Sequence, residues 1–133
     1  MKGRKRHIVV DSQGWLVRVL VHPANWSDKD GAKHLLKRVP LYPRWKTLLL
    51  DGGYDSPALL HWCAHLFNIT AEIVRRSDLK TFVVLPKRWI IERTFAWLGK
   101  YRRLSKDYEH LPTTSEAWIY VAMIDRMLHH LCP

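Results

Sequence analysis

The chain has 133 residues, of which 47% are hydrophobic and 26% are charged, and this composition predicts one globular domain and excludes a disordered or low-complexity protein. No apolar run approaches the roughly 18 residues of a membrane span, so we expect no membrane association. The two cysteines, Cys63 and Cys132, lack metal-site and disulfide-framework spacing, which favours a cytoplasmic location, and the formal net charge of +10 favours a polyanionic partner.

The N-terminal part of the chain predicts a β-hairpin followed by a helix. The apolar run His7–Asp11 and the run Trp15–His22, rich in β-branched residues, flank a short glycine-containing turn. Ser27 or Asp28 can cap a helix over about residues 29–38.

The middle of the chain predicts two strands separated by a helix. Lys46–Asp51 contains a short continuous apolar run, typical of a strand buried on both faces. Ser56 followed by Pro57 predicts the start of a helix that runs to about Phe67. Thr70–Arg75 has the pattern of another strand.

Two helices are predicted for the C-terminal part, after an ambiguous stretch over residues 77–87. The first runs from about Pro86 to Gly99, and Thr113 with Glu116 forms a capping-box pattern that opens the second. The order β-β-α-β-α-β-α-α predicts a mixed α/β layer fold. The apolar stripes of the four predicted helices are Ala32, Leu35, Leu36 and Val39; Leu59, Leu60, Cys63 and Leu66; Ile90, Ile91, Phe95 and Leu98; and Trp118, Val121, Ile124 and Leu128.

The basic residues fall into two clusters. Residues 1–6 contain four basic side chains and no acidic one, and residues 75–106 contain ten against Asp78 and Glu92. Clustered charge interleaved with aromatic rings favours nucleic acid over acidic lipid, with a generally basic, solvated surface as the alternative. The candidate DNA-binding residues are Lys2, Arg4, Lys5, Arg6, Lys87, Arg93, Lys100, Arg102, Arg103 and Lys106.

Two acidic residues are the candidate catalytic and metal-binding residues. Asp51 closes a predicted strand, and ligands of α/β sheets bind beyond the carboxyl ends of strands, although an ordinary turn aspartate is the alternative. Glu92 lies one helical turn after Arg88, and a surface ion pair is its alternative. Carboxylate oxygens suit Mg²⁺ or Mn²⁺, and two such ions about 4 Å apart clamp the oxygens of an in-line phosphoryl displacement. Two carboxylates are few ligands for two divalent cations, so we expect a third ligand in addition to Asp51 and Glu92.

Other polar and aromatic residues are expected to have structural roles. Asp11 lies at the hairpin turn, and Cys63 lies in an apolar stripe. His61 and His65 have the spacing of a zinc pair, but no third ligand follows at a useful distance. Trp89 and Trp97 either stack on an unpaired base or pack in the core, and their place on an amphipathic helix favours the core for at least one of them.

Four segments together resemble a DDE transposase of insertion-sequence family five. They are Lys2–Asp11, Leu50–Tyr54, Arg88–Leu98 and Tyr101–Tyr108, and they occur in order and at the expected spacing over nearly the whole chain. The Glu-Arg-Thr-Phe-Ala-Trp-Leu block within the third segment is too long for chance to be a good explanation.

The resemblance implies an α/β, RNase H-like mixed sheet flanked by helices, in an enzyme that cuts and joins DNA with two Mg²⁺ (or Mn²⁺) ions held by an Asp-Asp-Glu triad. It implies that Asp51 is the second aspartate and Glu92 the glutamate, both catalytic metal ligands, and that Arg88 is the catalytic arginine one helical turn earlier. The wider signature has a tyrosine where this chain has Leu85 and a lysine where it has Gly99.

In similar proteins the first aspartate lies on a strand upstream of the segment that begins here at Lys2. The resemblance therefore implies that residues 1–133 form a single domain, the C-terminal part of a transposase catalytic domain, without the first catalytic strand and the N-terminal DNA-binding region. The chain would then be the product of a second reading frame that is expressed by frameshifting, or a decayed remnant of a transposase. In either case it is expected to be inactive without the missing segment. The expected partner is double-stranded DNA, at element ends and target, and the full-length transposase is expected to be a homo-oligomer. The alternatives are a non-catalytic DNA-binding fragment and an inactive remnant.

Overall fold

The predicted order of elements is confirmed in the computed structural model, which describes residues 3–74, 88–104 and 106–132. This part of the chain forms a mixed α/β fold with two small sheets and four helices. The ambiguous segment 77–87 lies outside the described residues. The elements are β1 (Arg4–Val10), β2 (Leu16–Pro23), α1 (Asp28–Leu36), β3 (Thr47–Asp51), α2 (Pro57–Phe67), β4 (Thr70–Val74), α3 (Arg88–Gly99) and α4 (Pro112–Leu131), with 3₁₀ turns at Gly52–Tyr54 and Arg102–Leu104.

β1 and β2 form the antiparallel hairpin that the sequence predicts. Oδ1 of Asp11 accepts hydrogen bonds from the amides of Gln13 and Trp15, which confirms the turn role of this aspartate. Gly14 has a φ of 90°, a backbone conformation that favours glycine. The hydroxyl of Thr94, on α3, donates to the carbonyl of Gly14 at 2.6 Å, so the turn is fixed against a helix 80 residues away.

β3 and β4 form a second sheet, which is parallel, with Asp51 opposite Val74 at its carboxyl end. No residue of either strand is fully buried, so the prediction of a strand buried on both faces is wrong. Leu48 and Leu50 pack against the core cluster between α1 and α2, while Leu49 is 37% exposed on the other face. The reason is that the described elements fully cover only one face of this two-stranded sheet.

Two hydrophobic clusters form the core of the described part, and the hairpin packs on both of them, on the cluster beneath α1 through Val9 and Val17. One cluster lies between the hairpin, α3 and α4, and the other lies between α1, α2 and the inner face of β3. The prediction that Cys63 is a core residue is confirmed. The buried members are Val19, Val21, Leu98, Leu104, Ile119, Ala122 and Met123 in the first cluster, and Ala32, Leu36, Val39, Leu59 and Cys63 in the second.

Three predicted helix boundaries are confirmed. Oγ of Ser27 accepts a hydrogen bond from the amide of Asp30 at 3.1 Å and caps α1. Oγ of Ser56 accepts from the amide of Leu59 at 3.4 Å and caps α2. α3 ends at Gly99, as predicted. Local signals therefore set these boundaries.

The start of α4 differs from the prediction. Leu111 occupies the N-cap position without a side-chain hydrogen bond, so the capping box of Thr113 and Glu116 is wrong. Glu116 is 8% exposed, and its carboxylate lies 3.2 Å from Nη1 of Arg38 and accepts a hydrogen bond from the amide of Val21. A buried charge needs such partners, and this tertiary requirement overrides the local cap.

The buried face of α4 also differs from the prediction. Its expected stripe is more than a third exposed, and the helix instead buries Ser115, Glu116, Ile119, Ala122 and Met123. Because α4 carries apolar residues on both sides, packing on the hairpin selects the face. The expected core residues that lie exposed are Leu66, Phe95, Trp118, Val121, Ile124 and Leu128.

Candidate active site

Asp51 lies at the carboxyl end of β3, and its side chain is exposed. Oδ1 accepts a hydrogen bond from the amide of Gly52 at 2.7 Å, while Oδ2 has no hydrogen-bond partner among the described residues. Among the described residues, a side chain placed at Gly52 would meet no atom within 4 Å, and one at Gly53 would meet only Oδ2 of Asp28 at 4.0 Å. The aspartate therefore has a turn role, and its second oxygen makes no hydrogen bond within the described part of the chain.

A cleft of about 220 Å³ opens beside Asp51, between β1, β3, α1 and α3. α3 borders the cleft through Ile91 and Phe95, which lie one residue before and three residues after Glu92. Glu92 is exposed and does not line the cleft. The structure thus brings the helix that carries Glu92 to the cleft that Asp51 lines. Arg88 begins α3, and its side chain lies outside the described part.

Tyr54 and His7 form a polar pair in the same cleft that sequence reasoning missed. Nδ1 of His7 lies 2.5 Å from the hydroxyl of Tyr54. Burial, and then the charges of Asp28 and Asp51, raise the pKa of Tyr54 to about 12. The phenol therefore stays neutral, and its hydroxyl can donate to the imidazole while it faces the cleft that Asp51 borders.

His7 is also stacked on His22, and both rings are buried. Their centroids are 4.7 Å apart, and neither Nε2 atom has a hydrogen-bond partner among the described residues. Both Nε2 atoms lie within 2.7 Å of the position that a Cβ at Gly31 would occupy. The hairpin register, with Lys5 opposite His22, puts the two histidines on one face, and this register is the signal that could have revealed the pair.

The described residues contain no complete metal site. In residues 3–74, 88–104 and 106–132 no group of three or more His, Cys, Asp or Glu side chains could hold a metal ion. Asp51 and Glu92 have the carboxylate oxygens that Mg²⁺ and Mn²⁺ prefer, so they fit two ligand positions, and a complete site needs further oxygens. His61 and His65 stack with centroids 6.4 Å apart and are exposed, which agrees with a solvated role.

The basic N-terminal strand makes contacts within the protein. Arg4 donates to Oδ2 of Asp107 at 3.1 Å and to the carbonyl of Glu109 at 2.7 Å, and its other terminal nitrogen donates to the carbonyl of His110. Desolvation tends to raise the pKa of Asp107, but hydrogen bonds from the Glu109 amide and Arg4 lower it overall. Arg4 therefore joins β1 to the segment before α4.

The next two basic residues of β1 have partners as well. Lys5 lies 3.0 Å from Oδ1 of Asp28 and donates to the carbonyl of Trp26 at 3.1 Å. Arg6 donates to the carbonyl of Leu104 at 3.0 Å. Lys5 and Arg6, which are candidate DNA-binding residues, therefore also hold the hairpin in place through contacts within the protein.

The C-terminal basic cluster divides into packed and exposed side chains. Arg93 stacks on Trp97 and donates to the carbonyl of Gln13, and Arg103 lies 2.6 Å from Oε1 of Glu109. Trp97 is half-buried against aromatic and cationic side chains and belongs to neither hydrophobic cluster of the described residues, while the side chain of Trp89 lies outside the described part. Lys100, Arg102 and Lys106 are exposed beyond the end of α3, while Lys2 and Lys87 lie outside the described residues.

The similarity of this chain to known proteins identifies its family. The chain matches the family described as the transposase DDE domain over residues 1–124. It is 30% identical over 116 residues to a Burkholderia cepacia protein described as a transposase for insertion sequence element IS402, and the match covers 80% of this chain and 54% of the relative. The chain thus spans about half the length of this curated relative. No solved structure matches it. None of the helices in the described ranges has the length and apolar character needed to cross a membrane.

Proposed function

Since the chain belongs to the transposase DDE domain family, we propose that it carries the second aspartate and the glutamate of a transposase active site. The complete protein cleaves phosphodiester bonds at the ends of an insertion sequence, assigned here to family five, and joins those ends to target DNA. One observation carries this proposal: Asp51 and α3, the helix of Glu92, border one cleft.

Asp51 and Glu92 have the central roles in this proposal. Both carboxylates would hold Mg²⁺ or Mn²⁺, and two such ions supply stabilisation of the charge that develops on a phosphate during phosphoryl transfer. The hydrogen bond from the Gly52 amide fixes one oxygen of Asp51, so the other is presented in a defined direction. Arg88, one helical turn before Glu92, would orient that glutamate.

The exposed basic residues beyond α3 would bind the DNA backbone. Lys100, Arg102 and Lys106 are exposed on the segment that follows the helix of Glu92. Lysine and arginine neutralise phosphates without reading the sequence, so they position the duplex rather than select it. They would hold phosphates on either side of the bond that is cut.

The two sheets support an RNase H-like architecture completed by one further strand. Among the described residues β1 pairs with β2 and β3 pairs with β4, and the cleft separates the remaining edges of β1 and β3. A strand placed there would join both sheets into one mixed sheet and would bring its own residues beside Asp51. We propose that this strand supplies the first aspartate.

The exposed apolar stripe of α4 supports a homo-oligomeric transposase. Trp118, Val121, Ile124 and Leu128 are 39 to 56% exposed on one side of this helix. Contiguous exposed apolar residues mark interaction surfaces. In the proposed assembly, two copies would each hold one end of the element.

A second candidate function is DNA binding without cleavage. It is favoured by the finding that the described residues contain no group of three metal-ligating side chains. Under this alternative the basic segments hold DNA, and Asp51 is an ordinary turn residue. The two candidate functions make different predictions for Asp51 and Glu92: cleavage of DNA requires both carboxylates, whereas binding of DNA requires neither.

Strand nicking of a labelled duplex in Mg²⁺ separates the two candidates. The substrate is the DNA that flanks the gene, and the protein is tested alone and extended at its N-terminus by the sequence encoded upstream. We expect nicking by the extended form and its loss in Asp51→Asn and Glu92→Gln, by about a hundredfold or more, the scale on which a single electrostatic contributor acts. Asp55→Asn and Glu72→Gln are matched controls that keep nicking.

Two results would overturn the catalytic proposal. Nicking that survives both substitutions would place the reaction elsewhere. DNA retention that is indifferent to both, with no nicking by either form, would support the binding function instead. Filter binding at about 50 mM salt, where phosphate contacts are strong, measures that retention.

A further inference from the structure

A second cavity lies on the other side of α3 from Asp51. Its volume is about 370 Å³, which is within the size range of small-molecule sites. α3 borders the Asp51 cleft through Ile91 and Phe95. It borders this cavity through Arg93 and Trp97, which lie on the opposite side of the helix. The side chains that give the cavity its character are Gln13 and Trp15 of the hairpin, Arg93 and Trp97 of α3, and Arg126 and His130 of α4.

Trp97 holds two guanidinium groups at this cavity. The Cζ atoms of Arg93 and Arg126 each lie 4.7 Å from the centre of the Trp97 ring. A guanidinium stacked on an aromatic ring keeps its N–H groups in its own plane, where they can still donate. Arg93 uses one of these groups on the carbonyl of Gln13. Arg126 makes no hydrogen bond or ion pair within the described residues, so its donors face the cavity unused.

The cavity is electrostatically suited to an anion. Among the described residues that line it none is acidic, and His130 adds a third group that can carry positive charge. Planar guanidinium groups recognise phosphate through paired N–H donors, and ordering by Trp97 lowers the entropy lost on binding. A phosphate group is therefore the anion that this arrangement fits.

Aromatic rings complete the lining. The Trp15 ring lies 5.1 Å from the ring of His130 and 5.3 Å from that of Trp97. Such rings provide stacking surfaces for a nucleic-acid base, and stacking tolerates any base. A space of about 370 Å³ is too small for a base pair with both its strands, so only a single nucleotide unit can enter.

We propose that this cavity binds one unpaired nucleotide of a DNA strand, with its phosphate on Arg126 and its base against Trp15 and His130. The inference rests on the proposed function in taking DNA as the polymer. It adds that the substrate is held through a nucleotide outside the duplex, on the side of α3 opposite the Asp51 cleft.

Tryptophan fluorescence titration of the full chain, with a chelator present, tests the inference. The probes are a five-nucleotide thymidylate strand, the same strand with abasic sites, a blunt duplex and inorganic phosphate. We expect Arg126→Gln to weaken binding of the thymidylate strand about tenfold, the effect of one charge-assisted hydrogen bond. Arg44→Gln, at an exposed loop arginine, is the matched control and changes it less than about twofold. Removal of the bases should weaken binding about tenfold as well.

Three results would overturn the inference. Arg126→Gln and Arg44→Gln could have equal effects on the thymidylate strand. The abasic strand or inorganic phosphate could bind as tightly as the thymidylate strand, which would make this a site for small anions. The blunt duplex could show the same dependence on Arg126 as the single strand, which would make Arg126 an ordinary backbone contact.

Failure of this inference and failure of the proposed function are distinguishable. The titration contains no divalent ion and does not involve Asp51 or Glu92. Equal binding by Arg126→Gln together with nicking that depends on Asp51 would remove only the nucleotide site. Nucleotide binding that depends on Arg126, without nicking that depends on Asp51, would remove only the catalytic proposal.

Discussion

The two sheets of this protein differ in how completely they are packed. β2 has four consecutive buried residues, from Val19 to His22, whereas β3 and β4 have none. The hairpin is covered by α4 and fixed by Glu116, which joins Arg38 to the backbone of β2. The parallel pair carries Asp51 at an exposed end. The hairpin together with α1 and α4, here called the hairpin half, is therefore the more completely packed, while Asp51 lies in the open half, which consists of β3, β4 and the turn at Gly52–Tyr54, as is usual for functional sites.

The largest expected effect on stability is at Gly31, under the hairpin. A Cβ there would lie 2.5 Å from Nε2 of His22 and 2.7 Å from Nε2 of His7. Alanine gains about 1 kcal/mol of helix propensity over glycine, but the buried rings cannot move aside without repacking. We expect Gly31→Ala to lower the free energy of unfolding by about 2 kcal/mol, since overpacking commonly costs about 3 kcal/mol before that gain. Urea unfolding measures it.

Gly53→Ala is the matched substitution in the open half. Within the described ranges its Cβ would have a single neighbour, Oδ2 of Asp28 at 4.0 Å. We expect a change below about 0.5 kcal/mol, as for other surface positions. Equal effects at Gly31 and Gly53 would contradict the proposed difference between the two halves.

Glu116→Gln should have a smaller effect than Gly31→Ala. The substitution removes a buried charge that pairs with Arg38 at 3.2 Å, but the amide oxygen of glutamine can still accept from Val21. Since Arg38 is half exposed, we expect a loss of about 1 kcal/mol of unfolding free energy. Glu72→Gln, at an exposed position of β4, should change less than half as much. Thermal unfolding of both variants in one buffer compares the two losses of stability. A larger loss in Glu72→Gln than in Glu116→Gln would contradict this prediction.

Acid should weaken the hairpin half through His7. Burial, followed by the charge of His22, lowers the pKa of His7, while Asp28 opposes and Lys5 adds to this shift. The unfolded chain therefore binds the proton more readily, so this part of the stability is complete above the ordinary pKa of 6.5 and is lost as the pH falls below it. Tyr54, hydrogen-bonded to the ring, stays neutral throughout.

The pH dependence of the urea midpoint measures this effect. We expect the wild-type midpoint to fall between neutral pH and pH about 5.5, and Gly31 and Tyr54 amides to lose hydrogen-exchange protection together. His61→Gln, which changes an exposed histidine, should leave the slope as it is. A flat midpoint over this range would show that His7 is not buried in its neutral form.

A smaller cost is also expected at Leu49, on the open face of β3, than at a fully buried position of β2. This side chain is 37% exposed, so Leu49→Ser should cost less than about 1 kcal/mol, whereas Val19→Ala, at a fully buried position, should cost about 2 kcal/mol. Similar costs at both positions would mean that the two sheets are equally packed.

Local patterns in the sequence predict much of this fold. Ser27 and Ser56 set helix starts through hydrogen bonds to amides three residues on, and α3 ends at Gly99, where the sequence predicts its end. Asp51 was predictable as a strand-end carboxylate because a short apolar run precedes it.

Contacts between distant segments explain what local patterns missed. Glu116 pairs with Arg38, 78 residues away, so its sequence context suggested a cap instead. α4 has apolar residues on two sides, and only its packing on the hairpin decides which side is buried. His7 meets His22 and Tyr54 through strand register and the turn after β3, which no short pattern specifies.

The central claim is that Asp51 and Glu92 act on the same divalent ions. Residue-resolved NMR of the full chain during titration with Mn²⁺ tests it, because this paramagnetic ion broadens the signals of nearby amides. The account predicts broadening at Gly52–Tyr54 and around Glu92 in α3 at the same ion concentration, lost at both places in Asp51→Asn and in Glu92→Gln. Broadening at only one of these two places in the wild-type chain would contradict the claim. Broadening that persists at both places in Asp51→Asn and in Glu92→Gln would contradict it as well.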